Sequence, residues 1–476
     1  MELLTGFFSA IDSLTWGWAL IPILVVFGLF MTVMSGFVQI EFFGRMFRVL
    51  SGRNQNQDPN AISAREALLV SVGGRVGGGN IAGVAVAISI GGPGAVFWMW
   101  AIAVFGMATS LIECTLAQVY KRDDGDGGFR GGPAYYIRHG LGLRYNWLAI
   151  LYAICLLGAF GLGFIAFQGN TVAGSLQDAF GFDRTITGVG LAILTGLVVF
   201  GGIKRIAKAA DVIVPVMALM YIVTAITIIA INITEVPALL MDIVRSAFGL
   251  NEAFAGGMGA AVAQGLRRGL FSNEAGLGSA PNVAATALVR HPVSQGITQA
   301  FSVFIDTFII CTCTALIILM GDVYVPGASD IDGVVLTQQS LAGHLGNGAQ
   351  YVLSTAILLF SFSSIIYNYY LGENALAVMT KKGLALTGFR LVVVGIVFLG
   401  AAAPSATSVF FFADPLMGLL ALVNLVAIIM LFPVAMRVVD DFRAQLRAGV
   451  ERPVFDPDKF ADLSIDRQAW DVRTWD

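Results

Sequence analysis

Ser71-Val-Gly-Gly-Arg75-Val-Gly-Gly-Gly-Asn80-Ile-Ala-Gly-Val-Ala85 is apolar enough to enter a bilayer and too rich in glycine to remain a plain helix there. A second stretch of the same kind lies in the other half of the chain. It reads Phe254-Ala-Gly-Gly-Met-Gly-Ala-Ala-Val-Ala-Gln264-Gly-Leu-Arg-Arg-Gly-Leu-Phe-Ser-Asn-Glu274-Ala-Gly276. In a long apolar chain, such a pair predicts a transporter whose broken helices hold solute and ions at mid-depth.

The rest of the chain fits a membrane. Of 476 residues, 57% are hydrophobic and 12% charged, about half the charge of a soluble domain. Mean hydropathy is +0.79. Apolar runs near 20 residues recur throughout, the length of a helix that crosses the hydrocarbon. A β-barrel would show short alternating segments instead. No basic or aromatic tract points to nucleic acid. Met1 to Asp12 lacks the basic start of a cleavable signal peptide. Cys114, Cys155, Cys311 and Cys313 lie in apolar runs and read as small packed side chains.

The sequence predicts an all-α polytopic membrane protein with eleven spans, at 18–39, 66–90, 95–119, 147–177, 185–201, 211–231, 253–270, 297–320, 349–378, 387–404 and 411–436. Lys and Arg test the count, because they gather in short cytoplasmic loops. Arg45, Arg48, Arg53 and Arg65 follow span one, and similar clusters follow spans three, five, seven, nine and eleven. The alternate loops hold Arg184, Arg245 and the acids Asp322, Asp330 and Asp332. That alternation puts the N-terminus outside and the C-terminus in the cytoplasm. Without span one, the interrupted spans two and seven open two sets of five with opposite directions, as in an inverted repeat (66–231 and 253–436). A transporter domain over 1–448 is then followed by a polar, loosely ordered cytoplasmic tail over 449–476.

The candidate chemistry sits at the interruptions. Breaking a helix at Gly77-Gly78-Gly79-Asn80 frees N–H groups that suit a carboxylate and carbonyls that suit Na⁺. The competing reading is close helix packing, as small residues provide at many membrane interfaces. Span seven is expected to repeat the device at Gly256, Gly257 and Gly259. The polar section from Ser272 to Asn282 is expected at the inner end, as a gate or a connecting loop. Gln168 and Asn170, with Phe167 beside them, face the solute or bond a neighbouring helix. Ser363 and Ser364 offer oxygens to Na⁺ or bond back to their own helix. Asn368 follows them on the same span. Arg75, Glu113, Asp306 and Glu373 are charges at membrane depth and need partners or a water path. Arg75 is expected to pair with Glu274 or Glu373 when an inner gate is shut. Asp306 is left as a proton site, a supporting group or a structural anchor. His139, His291 and His344 are scattered over loops without metal-ligand spacing, which argues against an enzyme.

Arg75-Val-Gly-Gly-Gly-Asn-Ile-Ala-Gly83, Gly91-Gly-Pro-Gly-Ala-Val-Phe-Trp-Met-Trp100 and Gly106-Met-Ala-Thr109 resemble the alanine/glycine:cation symporter family. So do Arg268-Gly-Leu-Phe-Ser-Asn-Glu-Ala-Gly-Leu-Gly-Ser-Ala-Pro-Asn282, His291-Pro and Phe304-Ile-Asp-Thr307. The resemblance spans nearly the whole chain. It implies a LeuT-type five-plus-five inverted fold preceded by one extra helix, in an inner (plasma) membrane. It also implies import of alanine, glycine or a related small amino acid on the Na⁺ gradient, with no cofactor. Two positions depart from the family. Gly78 stands where Thr or Ser is usual, and Tyr367-Asn368 replaces a Gly-Trp pattern after the serine pair. A larger or more polar amino acid therefore stays open.

The expected cycle places Na⁺ at carbonyls near Gly77 and at Ser363 and Ser364. The solute carboxylate docks on the Gly78–Asn80 backbone, with its amino group towards span seven, where Gly257 lies, or Gln168. Coupling to protons through Asp306 or Glu113 is the alternative, and a channel is a third class.

Overall fold

The computed structural model describes residues 2–49, 61–125, 127–250, 257–325, 333–346, 348–380, 382–404 and 412–470. Arg53, Gly256, Asp330, Asp332, Lys381, the starts of the expected seventh and eleventh spans and residues 471–476 lie outside the described residues.

Long runs of Leu, Ile, Val and Phe without charge leave the backbone one way to satisfy its polar groups in lipid, the helix. Eight described helices are long and apolar enough to cross a bilayer: Gly6–Met34, Gly94–Val119, Leu143–Phe180, Gly202–Ile231, Pro292–Leu319, Ala349–Met379, Gly383–Ala402 and Ala413–Arg447. A ninth crossing is the bent pair Ala64–Arg75 and Gly79–Gly91, whose halves meet at 54°. The shorter apolar helix Arg184–Val199 falls where the short fifth span was expected. The first helix departs from expectation. Its helical run starts at Glu2 rather than 18 and ends at Met34, where Ser35-Gly36-Phe37 turns the chain. Between crossings, Pro133–Gly140, Val236–Ala247 and Gly333–Leu345 are helices, so His139 and His344 sit on helices rather than loops. The described strands are a two-residue hairpin, Arg122–Asp123 with Phe129–Arg130. All four cysteines are buried free thiols, as expected.

The first broken helix starts at a full capping box. Glu66 N–H donates to Ser63 Oγ at 3.1 Å, and Ser63 N–H donates to Glu66 Oε2 at 2.8 Å. After the twelve helical residues Ala64–Arg75, Val76 is extended (φ −77°, ψ 94°), and the helix stops within the protein interior.

The second break is not where the glycine count placed it. Gly257–Asn273 is one unbroken helix. Its glycines serve contact instead. A Cβ on Gly265 would lie 2.4 Å from the Ala95 carbonyl, and one on Gly269 would lie 2.6 Å from Ile102. Small residues here let two helices touch, which is the packing reading. The chain unwinds further on, over Glu274–Gly278, and resumes as Ser279–Ala284. Glu274 (φ 52°), Gly276 (φ 83°) and Gly278 (φ 87°) all take left-handed backbone angles, natural for glycine and unusual for a glutamate.

The tail is not loose. Residues 449–470 fold back on one face of the helices. Arg437 grips Asp462 with two bonds of 2.6 and 2.9 Å. Phe455 is buried, and its N–H donates to the Arg290 carbonyl at 2.8 Å. Trp470 and Phe129 each lie 4.2 Å from Lys121 Nζ, which also donates to the Ala287 carbonyl at 3.2 Å. Lys121 lies just beyond the Gly94–Val119 crossing, and burial pushes its pKa down from 10.5 to about 7. Between those values the unfolded chain holds the proton and the folded chain has released it. Stability should therefore rise with pH through that window. Thermal unfolding of wild type and Lys121→Met across it should show a steeper rise in wild type. Equal slopes would contradict the shift.

Candidate functional site

The two breaks meet. Asn80, two residues past the first gap, donates through Nδ2 to Asp306 Oδ1 at 2.6 Å and to Ser272 Oγ at 2.9 Å. Ser272, on the last turn before the second gap, donates to Asp306 Oδ2 at 2.7 Å, and Thr307 adds a bond of 3.0 Å. Asp306 is fully buried and accepts from three neutral donors. It ties the broken segments together, so of the three roles left open for it the geometry displays the anchor.

Freed backbone groups at the first gap find side chains. Gly77 N–H donates to Asn80 Oδ1 at 3.1 Å, and Gly78 N–H reaches Gln168 Oε1 at a long 3.4 Å. Among the carbonyls left by the broken ladder are those of Gly73 and Gly74. Ser363 Oγ bonds Gly73 O at 2.8 Å, and Ser364 Oγ bonds Gly73 O at 3.2 Å and Gly74 O at 3.0 Å. Both hydroxyls also bond the Phe360 carbonyl of their own helix, at 2.8 and 3.0 Å. Five oxygens from two helices thus converge. The Gly77 carbonyl, expected to take part, accepts from Asn80 N–H at 3.1 Å and closes the local turn instead.

Beside these groups lies a small cavity, with about 40 Å³ open to the centres of water molecules. That space holds a few waters or a small solute. Gly77, Gly79, Asn80, Gln168 and Asn368 line it on the polar side. The Asn368 amide is buried and makes no hydrogen bond among the described residues. Phe160, Phe164, Phe167, Phe271 and Met417 form the apolar wall, with Phe164 and Phe271 edge to face at 5.7 Å. Arg75 and Glu274 also reach the lining, one guanidinium and one carboxylate.

Several expected residues sit elsewhere. Asn170 turns to the Gly383–Ala402 helix, donating to Gly400 O at 3.1 Å and Ala403 O at 2.7 Å. Helical spacing explains this, since two residues after Gln168 is the opposite side of the helix. Asn170→Ala should cost about 1–2 kcal/mol of stability and leave the solute KM unchanged. A raised KM with an unchanged unfolding midpoint would return Asn170 to the solute site. Gly257 starts a helix whose far end reaches the cavity, and nothing lies within 4 Å of the position of its Cβ. It is not part of the site.

The expected pairing of Arg75 with Glu274 or Glu373 is also absent. Arg75 is 3% exposed, and its donors go to Ser302 Oγ, Gln299 O (3.3 Å) and Ser110 Oγ (3.3 Å). Neutral acceptors on two other helices take its two terminal nitrogens, while Nε is buried without a hydrogen-bond partner among the described residues. Glu274 accepts from Ser279 Oγ and from the Tyr367 hydroxyl at 3.2 Å. Glu373 pairs with Arg130 at 2.8 Å and Arg390 at 3.9 Å. Glu113 supports the second gap. It accepts from Gly276 N–H at 3.3 Å and from Asn424 Nδ2 at 3.0 Å, while Asn424 also caps Gly276 O at 2.9 Å. Ser272, Gly73, Gly74 and, apart from Phe167, the phenylalanine wall were not singled out as ligand residues from sequence. Only the small polar Ser272 next to Asn273-Glu274 carried a local signal.

A family model described as the sodium:alanine symporter family matches residues 1–457. A Bacillus subtilis (strain 168) protein named "Probable sodium/glutamine symporter GlnT" is 45% identical over 93% of this chain and 91% of its own length. The Bacillus subtilis "Amino-acid carrier protein AlsT" is 45% identical over 91% of each. The "Sodium/alanine symporter AgcS" of Methanococcus maripaludis is 37% identical over 89% of this chain and 94% of its own. Among solved structures, a manganese transporter of Eremococcus coleocola superposes with a TM-score of 0.51 over 78% of each chain. At 14% identity that likeness is one of fold alone.

Proposed function

The chain belongs to the sodium:alanine symporter family, and from that premise we propose that it imports a small neutral amino acid, alanine or glycine, together with Na⁺ by alternating access. The family is one of transporters, and the several apolar crossings make this a multi-pass membrane protein. The resemblance read from residues 75–83 and 268–282 is correct at that level.

One observation carries the reading. Carbonyls freed by a helix break face two hydroxyls beside a cavity with a cationic and an anionic side chain. Na⁺ prefers hard oxygen ligands, and five converge from Gly73, Gly74, Phe360, Ser363 and Ser364. Bound there, Na⁺ would take lone pairs of the carbonyls and of the two hydroxyls, whose protons then point away from it. An amino-acid zwitterion suits the cavity beside it. Its carboxylate replaces the long Gln168 bond on Gly78 N–H and lies near Gly79 and Asn80. Its amino group turns to the Glu274 side, and its side chain meets Phe164, Phe167 and Phe271. Asn368 supplies a free amide, and the small volume favours alanine or glycine.

The proposed frame is eleven crossings, an extra helix followed by two inverted sets of five, with the N-terminus outside and the tail in the cytoplasm of the plasma membrane. Two facts support it. Each half has one helix that stops and restarts, and Lys and Arg alternate between loops. Na⁺ entry adds a driving force of about 2.3 kcal/mol per charge per 100 mV. Uptake by proteoliposomes tests the whole reading, with a panel of amino acids and imposed Na⁺, Li⁺ or H⁺ gradients. The reading expects alanine or glycine uptake only with inward Na⁺. Uptake driven by H⁺ alone would replace the coupling ion, and preference for glutamine would replace the substrate.

A further inference from the structure

Beyond Met34 the chain turns at Gly36 (φ 71°) and Phe37 (φ 57°) and continues as two short helical turns, Val38–Glu41 and Phe43–Met46. Val38, Phe42, Met46 and Val49 are buried, at spacings of three to four. The opposite side leaves Phe37, Ile40, Phe43 and Phe47 exposed, at 49, 64, 37 and 46%. Arg45 and Arg48 lie beside them. An apolar face with adjacent arginines, just past the end of a crossing, is the pattern of a segment lying at the headgroup boundary.

Those two arginines border a cavity of about 170 Å³, which Arg290, Arg452 and Glu451 also line. The described lining thus holds four guanidiniums and one carboxylate. Arg48 bonds Glu451 Oε1 at 3.4 Å, and Arg45 donates to the Glu451 carbonyl at 3.3 Å. The hydroxyl-bearing Ser294 and Thr298 also line it, Ser294 in the first turn of the Pro292–Val303 helix, whose dipole also favours an anion. Burial, and then the neighbouring Arg48 guanidinium, lower the Arg45 pKa, and the Glu451 carboxylate opposes them. The docked tail completes this cavity through Glu451 to Pro453.

We propose that this cavity binds the phosphate of an anionic phospholipid, held by Arg45, Arg290 and Arg452 while the acyl chains lie along Phe43 and Phe47. Guanidinium groups bind phosphate oxygens in pairs, and basic pockets between crossings are where anionic headgroups settle. The exposed aromatic face favours a lipid over a free ion, since only a lipid uses both features.

The test is thermal unfolding of the purified full-length chain in detergent with phosphatidylglycerol, phosphatidylcholine or inorganic phosphate. Phosphatidylglycerol should raise the midpoint by several degrees and phosphatidylcholine should not. Arg45→Gln/Arg290→Gln should abolish that rise. Glu451→Gln, which removes the one carboxylate of the described lining, should enlarge it, and this variant decides the matter if the arginine variant does not fold. Equal shifts with both lipids, an unchanged shift in the arginine variant or a smaller one in Glu451→Gln would overturn the site. A shift with inorganic phosphate as large as with phosphatidylglycerol would overturn the lipid assignment.

Discussion

Replacing both Ser363 and Ser364 with Ala should raise the Na⁺ concentration for half-maximal uptake at least about tenfold, since each hydroxyl lost from a charge contributes about 1.5–3 kcal/mol. The two hydroxyls bond the Gly73 and Gly74 carbonyls at 2.8 to 3.2 Å, at the end of the first half-helix. Their removal takes two oxygens from the cation and also uncaps the Gly73 and Gly74 carbonyls. The second effect lowers abundance, so uptake is compared per molecule of inserted protein. The amino-acid KM, taken at saturating Na⁺, should stay within about a factor of two, because the serines do not line the cavity. An unchanged Na⁺ dependence would remove both serines from the ion site.

Asp306 should be the least replaceable side chain. Asn80, Ser272 and Thr307 all donate to it in a fully buried place. Asp306→Ala strands three donors at about 1–3 kcal/mol each, a large part of what holds a protein folded, so little folded protein should be recovered. Asp306→Asn keeps the shape but presents an amide where Asn80, Ser272 and Thr307 need acceptors. It should be recovered folded and transport at less than about a hundredth of the wild-type rate, as one or two broken buried bonds imply. Normal recovery of Asp306→Ala with normal transport would show that the two gaps do not need this link.

How much of this was legible depended on whether the cause was local. Three consecutive glycines before Asn80 weaken a helix by themselves, and that break lies where the sequence put it. Gly265 and Gly269 looked similar but answer to a neighbour, the Gly94–Val119 helix, which no local pattern announces. The true second gap is marked by alternation, Glu274-Ala-Gly276-Leu-Gly278, with a left-handed angle at every other residue. Arg75 and Glu373 were recognised as costly charges in need of partners. Their partners, Ser302, Gln299 and Ser110 for one and Arg130 and Arg390 for the other, come from distant parts of the chain. Ser363 and Ser364 stand out in the sequence because adjacent hydroxyls in an apolar helix are uncommon, and the structure sets them against freed carbonyls. Their carbonyl partners lie three and four residues earlier than expected, since Gly73 O and Gly74 O lose their N–H donors, Gly77 and Gly78, to side chains where the helix ends. The phenylalanine wall had no signal, because Phe160, Phe164 and Phe271 are ordinary residues of apolar helices until the fold brings them together.

Hydrogen exchange at the two gaps tests the central claim most directly, that cation and amino acid complete the unwound backbone. Purified protein is compared in K⁺, in Na⁺, and in Na⁺ with alanine. Amides of residues 73–80 and 274–278 should exchange more slowly in Na⁺ than in K⁺ and slowest with alanine added, while helices remote from the gaps stay unchanged. Identical exchange at both gaps in all three conditions would contradict the account.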